Sequence, residues 1–371
     1  PHEPKGFSFY ATAEISTTNS NMKKLFLSLV AAMLVSMSAM AQQAVAVLTH
    51  DGTSKTFNGY TALQDAYAES ASGDLITLGS GTFASIATIE KALTIRGAGM
   101  EYDSIYHTQA TILEGNFTLA LPETEAGRFQ LEGIYHTGRI YYNYVQKNPQ
   151  FIKCRLGHFM GTNYTVLGTD YTSQVVDAYF FHCKIADELV CNANSSISAI
   201  NSFVSHPYTN SETTSFISLQ NCVVMPYNSN TNTNSSFGYL YSSSMRNCIF
   251  VPSSGNTTSC TWNNNTSFIN CLLPSNYSPE KSKSTYQNYS KIQVVFNTYT
   301  GGYSDTSEFT MRDEMKVLYC DENGSELGMY GGSFPYSPRV AGPHLSLFSV
   351  ASHSTSDGKL RVRLQVESTT E

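Results

Sequence analysis

"SLQNCVVMP", residues 218–226, decides how this chain folds, because its order returns in "SMRNCIFVP" (244–252) and "SFINCLLP" (267–274). Each copy sets an asparagine before a cysteine and follows it with an apolar run that a proline closes. Aligned on the residue before the cysteine, the pattern extends to Gly97, Gly115, Gly133, Lys153, His182, Asn201, Asn221, Asn247 and Asn270. The copies recur at intervals averaging about 22 residues, a repeat length too short for paired helices. Two places earlier stand Ile95, Leu113, Leu131, Phe151, Phe180, Ala199, Leu219, Met245 and Phe268. One place later the last six copies carry Cys154, Cys183, Ser202, Cys222, Cys248 and Cys271, and three places later Leu156, Ile185, Val204, Val224, Phe250 and Leu273. The early copies are looser there, with Thr118 and His136.

Seven of these nine positions are Gly or Asn, the residues that tolerate left-handed backbone angles. Each repeat therefore reads as a strand, a sharp bend at one residue, and a second short strand with apolar side chains inward on both sides. No single repeat buries its own apolar face, but stacked repeats build a continuous core, which is the logic of a solenoid. Periodic helical faces are absent from this region, so the expectation is all-β. Stacked rungs lie ~4.8 Å apart with parallel Cβ vectors, poor geometry for disulfides. The repeat cysteines are thus expected to be free core residues, although eight cysteines in an exported chain would ordinarily suggest bridges.

This pattern resembles right-handed parallel β-helix proteins of the pectin-lyase-like type, in which inward asparagines stack at one bend. The resemblance covers roughly 60–275, implies a solenoid of about 9–11 rungs, and is specific to fold rather than activity. Lys153 and His182 depart from its Asn or Gly pattern. "TALQDAYAES" (61–70) resembles the amphipathic cap that opens such proteins, with Thr61 and Gln64 at capping-box spacing and Leu63, Ala66 and Tyr67 on one face. "DENGSELGMYGGSFPY" (321–336) resembles the terminal segment of secreted β-helix proteins from gut-dwelling Gram-negative bacteria.

Outside the repeats, "MKKLFLSLVAAMLVSMSAMA" (22–41) has the positive start, apolar core and small-x-small cleavage site of a secretory signal. Its apolar core falls short of the ~20 residues that cross a bilayer. Residues 1–21 read as upstream sequence foreign to the fold, 42–340 as the β-helix domain, and 341–371 as a C-terminal β-hairpin with Leu360, Val362, Leu364 and Val366 on one side. Export to the periplasm, outer surface or exterior follows. Net charge is −7, with 14% charged residues and not one Lys or Arg between Lys184 and Arg246. Nucleic-acid binding, which needs clustered cations, is disfavoured.

The resemblance implies two chemistries: lyases that pair a basic residue with carboxylate-bound Ca²⁺, and hydrolases with clustered aspartates. Neither set is written here as a motif, so no catalytic residue and no cofactor is assigned, and Ca²⁺ belongs only to the lyase alternative. The nine histidines show no metal-ligand spacing, and the Gly-x-Gly of "RGAGME" (96–101) lacks a βαβ context. Two binding candidates remain. Lys153, Arg155, His182 and Lys184 stack on adjacent rungs and suit an acidic glycan. The polar insertions carrying Tyr208, Tyr227, Tyr239, Tyr241 and Trp262 suit neutral sugars. The favoured reading is an exported, non-catalytic glycan- or surface-binding protein of undetermined oligomeric state; the alternative is a lyase or hydrolase acting on acidic polysaccharide.

Overall fold

The computed structural model describes residues 44–371 apart from 106–107, 144–146, 161–176, 210–213, 226–239, 241, 252–265, 276–283, 300–303, 305–306, 341, 351–361 and 370–371. Segments 1–21 and 22–41 lie outside the described residues.

The chain opens with a hairpin, Val45–His50 against Thr53–Asn58, turned at Asp51 and Gly52 with φ of +47° and +76°. Two consecutive positive φ values are the requirement that an Asp-Gly pair meets. Val45–His50 also pairs antiparallel with Leu75–Leu78, covering the open edge of the first coil. The predicted helix forms over Ala62–Glu69 and buries Leu63 and Ala66. Its capping box does not form. Thr61 is itself near-helical (φ −88°, ψ 0°), so its hydroxyl donates to Asp65 at 3.1 Å instead of accepting the backbone N–H of Gln64. Gln64 Nε2 donates to the Ser85 carbonyl. The far end of the helix is closed by Lys91 Nζ, 2.6 Å from the Tyr67 carbonyl and 2.7 Å from that of Ser70.

Parallel coils follow. Their first face stacks Leu75–Leu78, Thr94–Arg96, Gln130–Glu132, Gln150–Ile152, Asp177–Phe181, Ser196–Ile200, Phe216–Gln220, Ser244–Arg246 and the start of Ser267–Pro274. Among the described residues nine coils thus stack on this face, within the expected range, and Thr285–Tyr289 adds a further parallel strand to the ninth. Inward, the first face places Ile76, Ile95, Leu131, Phe151, Phe180, Ala199, Leu219, Met245 and Phe268 in one register, each 0–1% exposed. The second face answers with Phe83, Leu113, His136, Leu156, Ile185, Val204, Val224 and Phe250. Burying each large apolar side chain is worth about 1.5–3 kcal/mol relative to exposure, so stacking is the driving term and strand propensity is secondary. A third face begins with Thr88–Ile89 and Phe117–Leu119.

The bend column contains eight of the nine expected residues. Gly133, Lys153, His182, Asn201, Asn221, Asn247 and Asn270 all take φ between +46° and +65°. Each of these from Gly133 to Asn247 donates its N–H to the next coil, as in Asn201 to Gln220 at 3.0 Å and Asn247 to Ile269 at 3.0 Å. Lys153 and His182 adopt the bend despite carrying side chains poorly suited to it, at a cost of roughly 1–2 kcal/mol each. Two details correct the sequence reading. Gly97 keeps its place in the column but not the left-handed angle; a Cβ there would sit 2.4 Å from the Gly133 carbonyl oxygen, so glycine answers close packing of coils. Gly115 is not in the column at all. It ends Thr111–Glu114 on the second face, where Leu113 aligns with His136, which is why Thr118, three places on, faces outward.

All seven described cysteines are free. Each of five repeat thiols points at its own strand's carbonyl two residues back and at a carbonyl of the preceding coil: Cys154 at Ile152 and Leu131, Cys222 at Gln220 and Ala199, Cys271 at Ile269 and Met245, with Cys183 and Cys248 alike. Ser202 makes the same backward bond to Ile200, at 2.8 Å. Burial pushes the thiols of Cys154, Cys222 and Cys271 well above their ordinary range. The C-terminal hairpin pairs Gly342–Val350 with Val362–Thr369 antiparallel, as its alternation predicts. Among the described residues, no helix is long and apolar enough to cross a membrane.

Candidate functional site

Two outer surfaces of the coil stack are covered by the chain itself. On the second face the outward side chains of Phe203, Val223, Ile249 and Leu272 are apolar, and they pack with Ile292, Phe296, Tyr299, Phe309, Met311, Leu327 and Met329 in a second buried cluster. Phe203 lies parallel to Phe309 with ring centres 4.8 Å apart. The chain then crosses the bend column as a strap. Asn270 Nδ2 donates to the Cys320 carbonyl at 3.3 Å, and Gly328 N–H to the Asn247 carbonyl at 2.9 Å. Asn201 Nδ2 donates to the carbonyls of Met329 and Gly331 at 3.0 and 2.6 Å. His182 Nε2, with its proton on that nitrogen, donates to the Phe334 carbonyl at 3.0 Å. The asparagines thus hold a covering segment as well as a backbone angle.

That covering decides where the expected cations stand. The rung alignment holds, since Arg155 pairs with Lys184 across adjacent strands and Lys153 stands directly before His182 in the bend column. Their exposure is another matter. Lys153 is 2% exposed, and burial holds its ammonium below the usual lysine range while Glu132 acts in the opposite direction. His182 is buried with its ring stacked on Phe181 at 3.8 Å; burial lowers its pKa, and the Lys153 charge adds to that. Lys184 Nζ is paired with Glu101 at 2.8 Å and faces the Tyr336 ring. Arg155 lies over the Tyr135 ring at 4.2 Å. The four residues come together as an interior and strap-lined group, not as an open cationic strip. Tyr208 is half-buried on the third face, in Pro207–Thr209. Tyr227, Tyr239, Tyr241 and Trp262 lie outside the described residues. Among the described residues no group of His, Cys, Asp and Glu has the makings of a metal site.

The first face presents a different chemistry. In register up the stack its outward positions read Gln130, Gln150, Tyr179, Ser198, Ser218, Ser244 and Ser267, with Ile152, Phe181 and Ile200 alongside. Tyr179 and Phe181 hold their rings within 14° of parallel, 6.4 Å apart. Phe334 of the strap stands edge-on to Phe181 and is 68% exposed. The result is a surface whose central row is hydroxyls and amides beside aromatic rings, with the charges of the next row confined to Arg96 and Glu132 at one end and Arg246 at the other. Sequence reasoning missed it because attention to the inward period leaves the alternate positions unread; the period-2 partners Ser198, Ser218, Ser244 and Ser267 were the available signal.

Fold and covering together define the class: a single-chain parallel β-helix with a capped first coil and a strapped bend. Compared with protein-family models, curated proteins and solved structures, the chain has no match in any of the three.

Proposed function

We propose that this is an exported, non-catalytic β-helix of the pectin-lyase-like type that binds glycan on its first face. One observation carries the reading, the in-register outward rows of Ser and Gln beside Tyr179, Phe181 and Phe334. Aromatic rings offer apolar area to the C–H face of a sugar at low entropy cost, and neutral amides and hydroxyls exchange hydrogen bonds with its hydroxyls. A parallel in-register sheet repeats those groups at one spacing, which suits a polymer better than a small metabolite. The signal at 22–41 supports export, to the periplasm, outer surface or exterior, and the 321–336 segment supports an origin in a gut-dwelling Gram-negative bacterium. The alternative, a lyase or hydrolase acting on acidic polysaccharide with Ca²⁺, has the buried Lys153 and His182 against it.

The test is a glycan array followed by affinity electrophoresis in gels containing neutral or acidic polysaccharide. Retardation by a neutral polymer that is lost in Tyr179→Ala/Phe181→Ala supports the reading. Retardation unchanged in that variant, or no binding to any glycan, refutes it.

A further inference from the structure

Where the strap crosses the seventh and eighth coils it leaves a polar cavity of about 360 Å³ at the edge of the first face. Four amide side chains line it, Gln220, Asn221, Asn247 and Asn323, and of these Asn247 Oδ1 already accepts from Asn270 Nδ2 at 3.1 Å. The charges are Arg246, which pairs with Glu322 at 3.0 Å, and Asp321, whose Oδ1 accepts the N–H groups of Asn323 and Ser325 at 2.9 Å each. Asn221 is 4% exposed, and its side-chain oxygen has no hydrogen-bond partner in the protein. A buried acceptor left in that state costs about 1–3 kcal/mol, and a rotation of the amide toward the cavity would let a ligand supply the missing donor. Gly332 makes room for the amide: its φ is +76°, and a Cβ there would lie 2.2 Å from Asn221 Nδ2.

We infer that this cavity is a binding site for a neutral mono- or disaccharide, the end of a longer chain. A ligand that satisfies it must donate to Asn221 Oδ1 and exchange many hydrogen bonds with amides. A strong anion is disfavoured by Asp321 and Glu322, and a divalent cation by the Arg246 guanidinium inside the lining. Vicinal hydroxyls, each both donor and acceptor, meet all of these demands. The site deepens the glycan reading and rests on it: Gln220 and Arg246 are outward residues of the first face, so a chain lying on that face reaches the cavity with its end.

The experiment is calorimetric titration of the processed protein with neutral mono- and disaccharides of the gluco-, galacto-, manno- and xylo-series, and separately with CaCl₂. Two variants probe the cavity. Asn221→Gly removes the orphaned amide but keeps the bend, and Asn323→Ala/Ser333→Ala changes only exposed strap positions; thermal melting checks that both fold. A third, Tyr179→Ala/Phe181→Ala, probes the face. Short-sugar binding weakened about 10-fold or more in both cavity variants, the loss expected for one or two hydrogen bonds, and retained in the face variant, supports the inference. Polymer retention by the face without short-sugar binding, or short-sugar binding indifferent to the cavity variants, overturns the inference and leaves the glycan reading standing. Absence of both overturns both. Calcium binding that depends on Asn221 while sugars do not bind overturns it in favour of a cation site.

Discussion

Replacing Asn201 separates the two tasks given to the bend residues. Asn201 is 1% exposed, sits at φ +46°, and ties down the strap through the Met329 and Gly331 carbonyls. Asn201→Gly keeps the angle and deletes both bonds. Two net hydrogen bonds of about 1 kcal/mol each, with two carbonyls left dry, put its cost at about 2–3 kcal/mol. Asn201→Ala loses the same bonds and adds the left-handed penalty of an ordinary side chain, about 1 kcal/mol more. Asn201→Asp keeps the angle but aims a carboxylate at two carbonyl oxygens, and is expected to be the worst of the three. Urea unfolding of residues 42–371, followed by tyrosine fluorescence, measures the ordering wild type, Gly, Ala, Asp. A glycine variant within about 0.5 kcal/mol of wild type, the range of an ordinary surface change, would show that the strap bonds carry no stability. Equality of Gly and Ala would instead sink the bend assignment.

Further outcomes are expected elsewhere. His136 lies in the core against Phe117, its Nε2–H donating to the Gly115 carbonyl at 2.7 Å, and burial pushes its pKa down to about 4. The unfolded chain, titrating near 6.5, binds the extra proton first, so stability falls as pH drops from 6.5 towards 4, by up to about 3 kcal/mol; His136→Gln flattens that limb of the pH profile. In a Cys260→Ser background, Ellman's reagent reacts at once with half-exposed Cys320 and reaches the buried Cys154, Cys183, Cys191, Cys222, Cys248 and Cys271 only on unfolding. Cys222→Ser repeats what Ser202 already does in its own coil and is expected to cost less than about 1.5 kcal/mol; a collapse in melting temperature would contradict the shared backward bond. Incubated with pectate, alginate or glycosaminoglycans, with or without Ca²⁺, the protein yields no unsaturated product absorbing in the ultraviolet; product that vanishes in Lys153→Ala/Lys184→Ala would make the cluster an active site. Mass spectrometry of protein from an expressing bacterium finds an N-terminus at Gln42, and retention of 22–41 would defeat the export reading.

The solenoid was legible because its core is written in one-dimensional register: Phe151, Phe180, Ala199 and Leu219 announce themselves by position relative to a bend residue. Gly115 entered the series wrongly for the same reason. "TILEG" and "LTIRG" share the apolar-x-Gly signature, and only pairing partners tell a first-face strand from a second-face one. His136 was readable as an exception and not as a core residue, since burying a neutral imidazole depends on the Gly115 carbonyl a full coil away. The hairpin at 45–58 carried its Asp-Gly turn in plain view. The site was harder still. Whether His182 meets solvent depends on a segment more than 150 residues downstream, and no local pattern encodes that a glycine at 332 will lie against an asparagine at 221.

The strap also changes how such a molecule comes apart. A stack in which every coil touches only its neighbours behaves as a linear array, free to unzip from either end one repeat at a time. Here residues 320–334 bridge from Asn270 in the ninth coil to His182 in the fifth, so the last coils cannot peel away without releasing the staple that spans the coils before them. End fraying becomes a concerted event, and the staple finds its anchors only after five coils have already been laid down. The tail therefore acts as a latch closed last in assembly, and it makes the C-terminal half of the array lose its structure as one block.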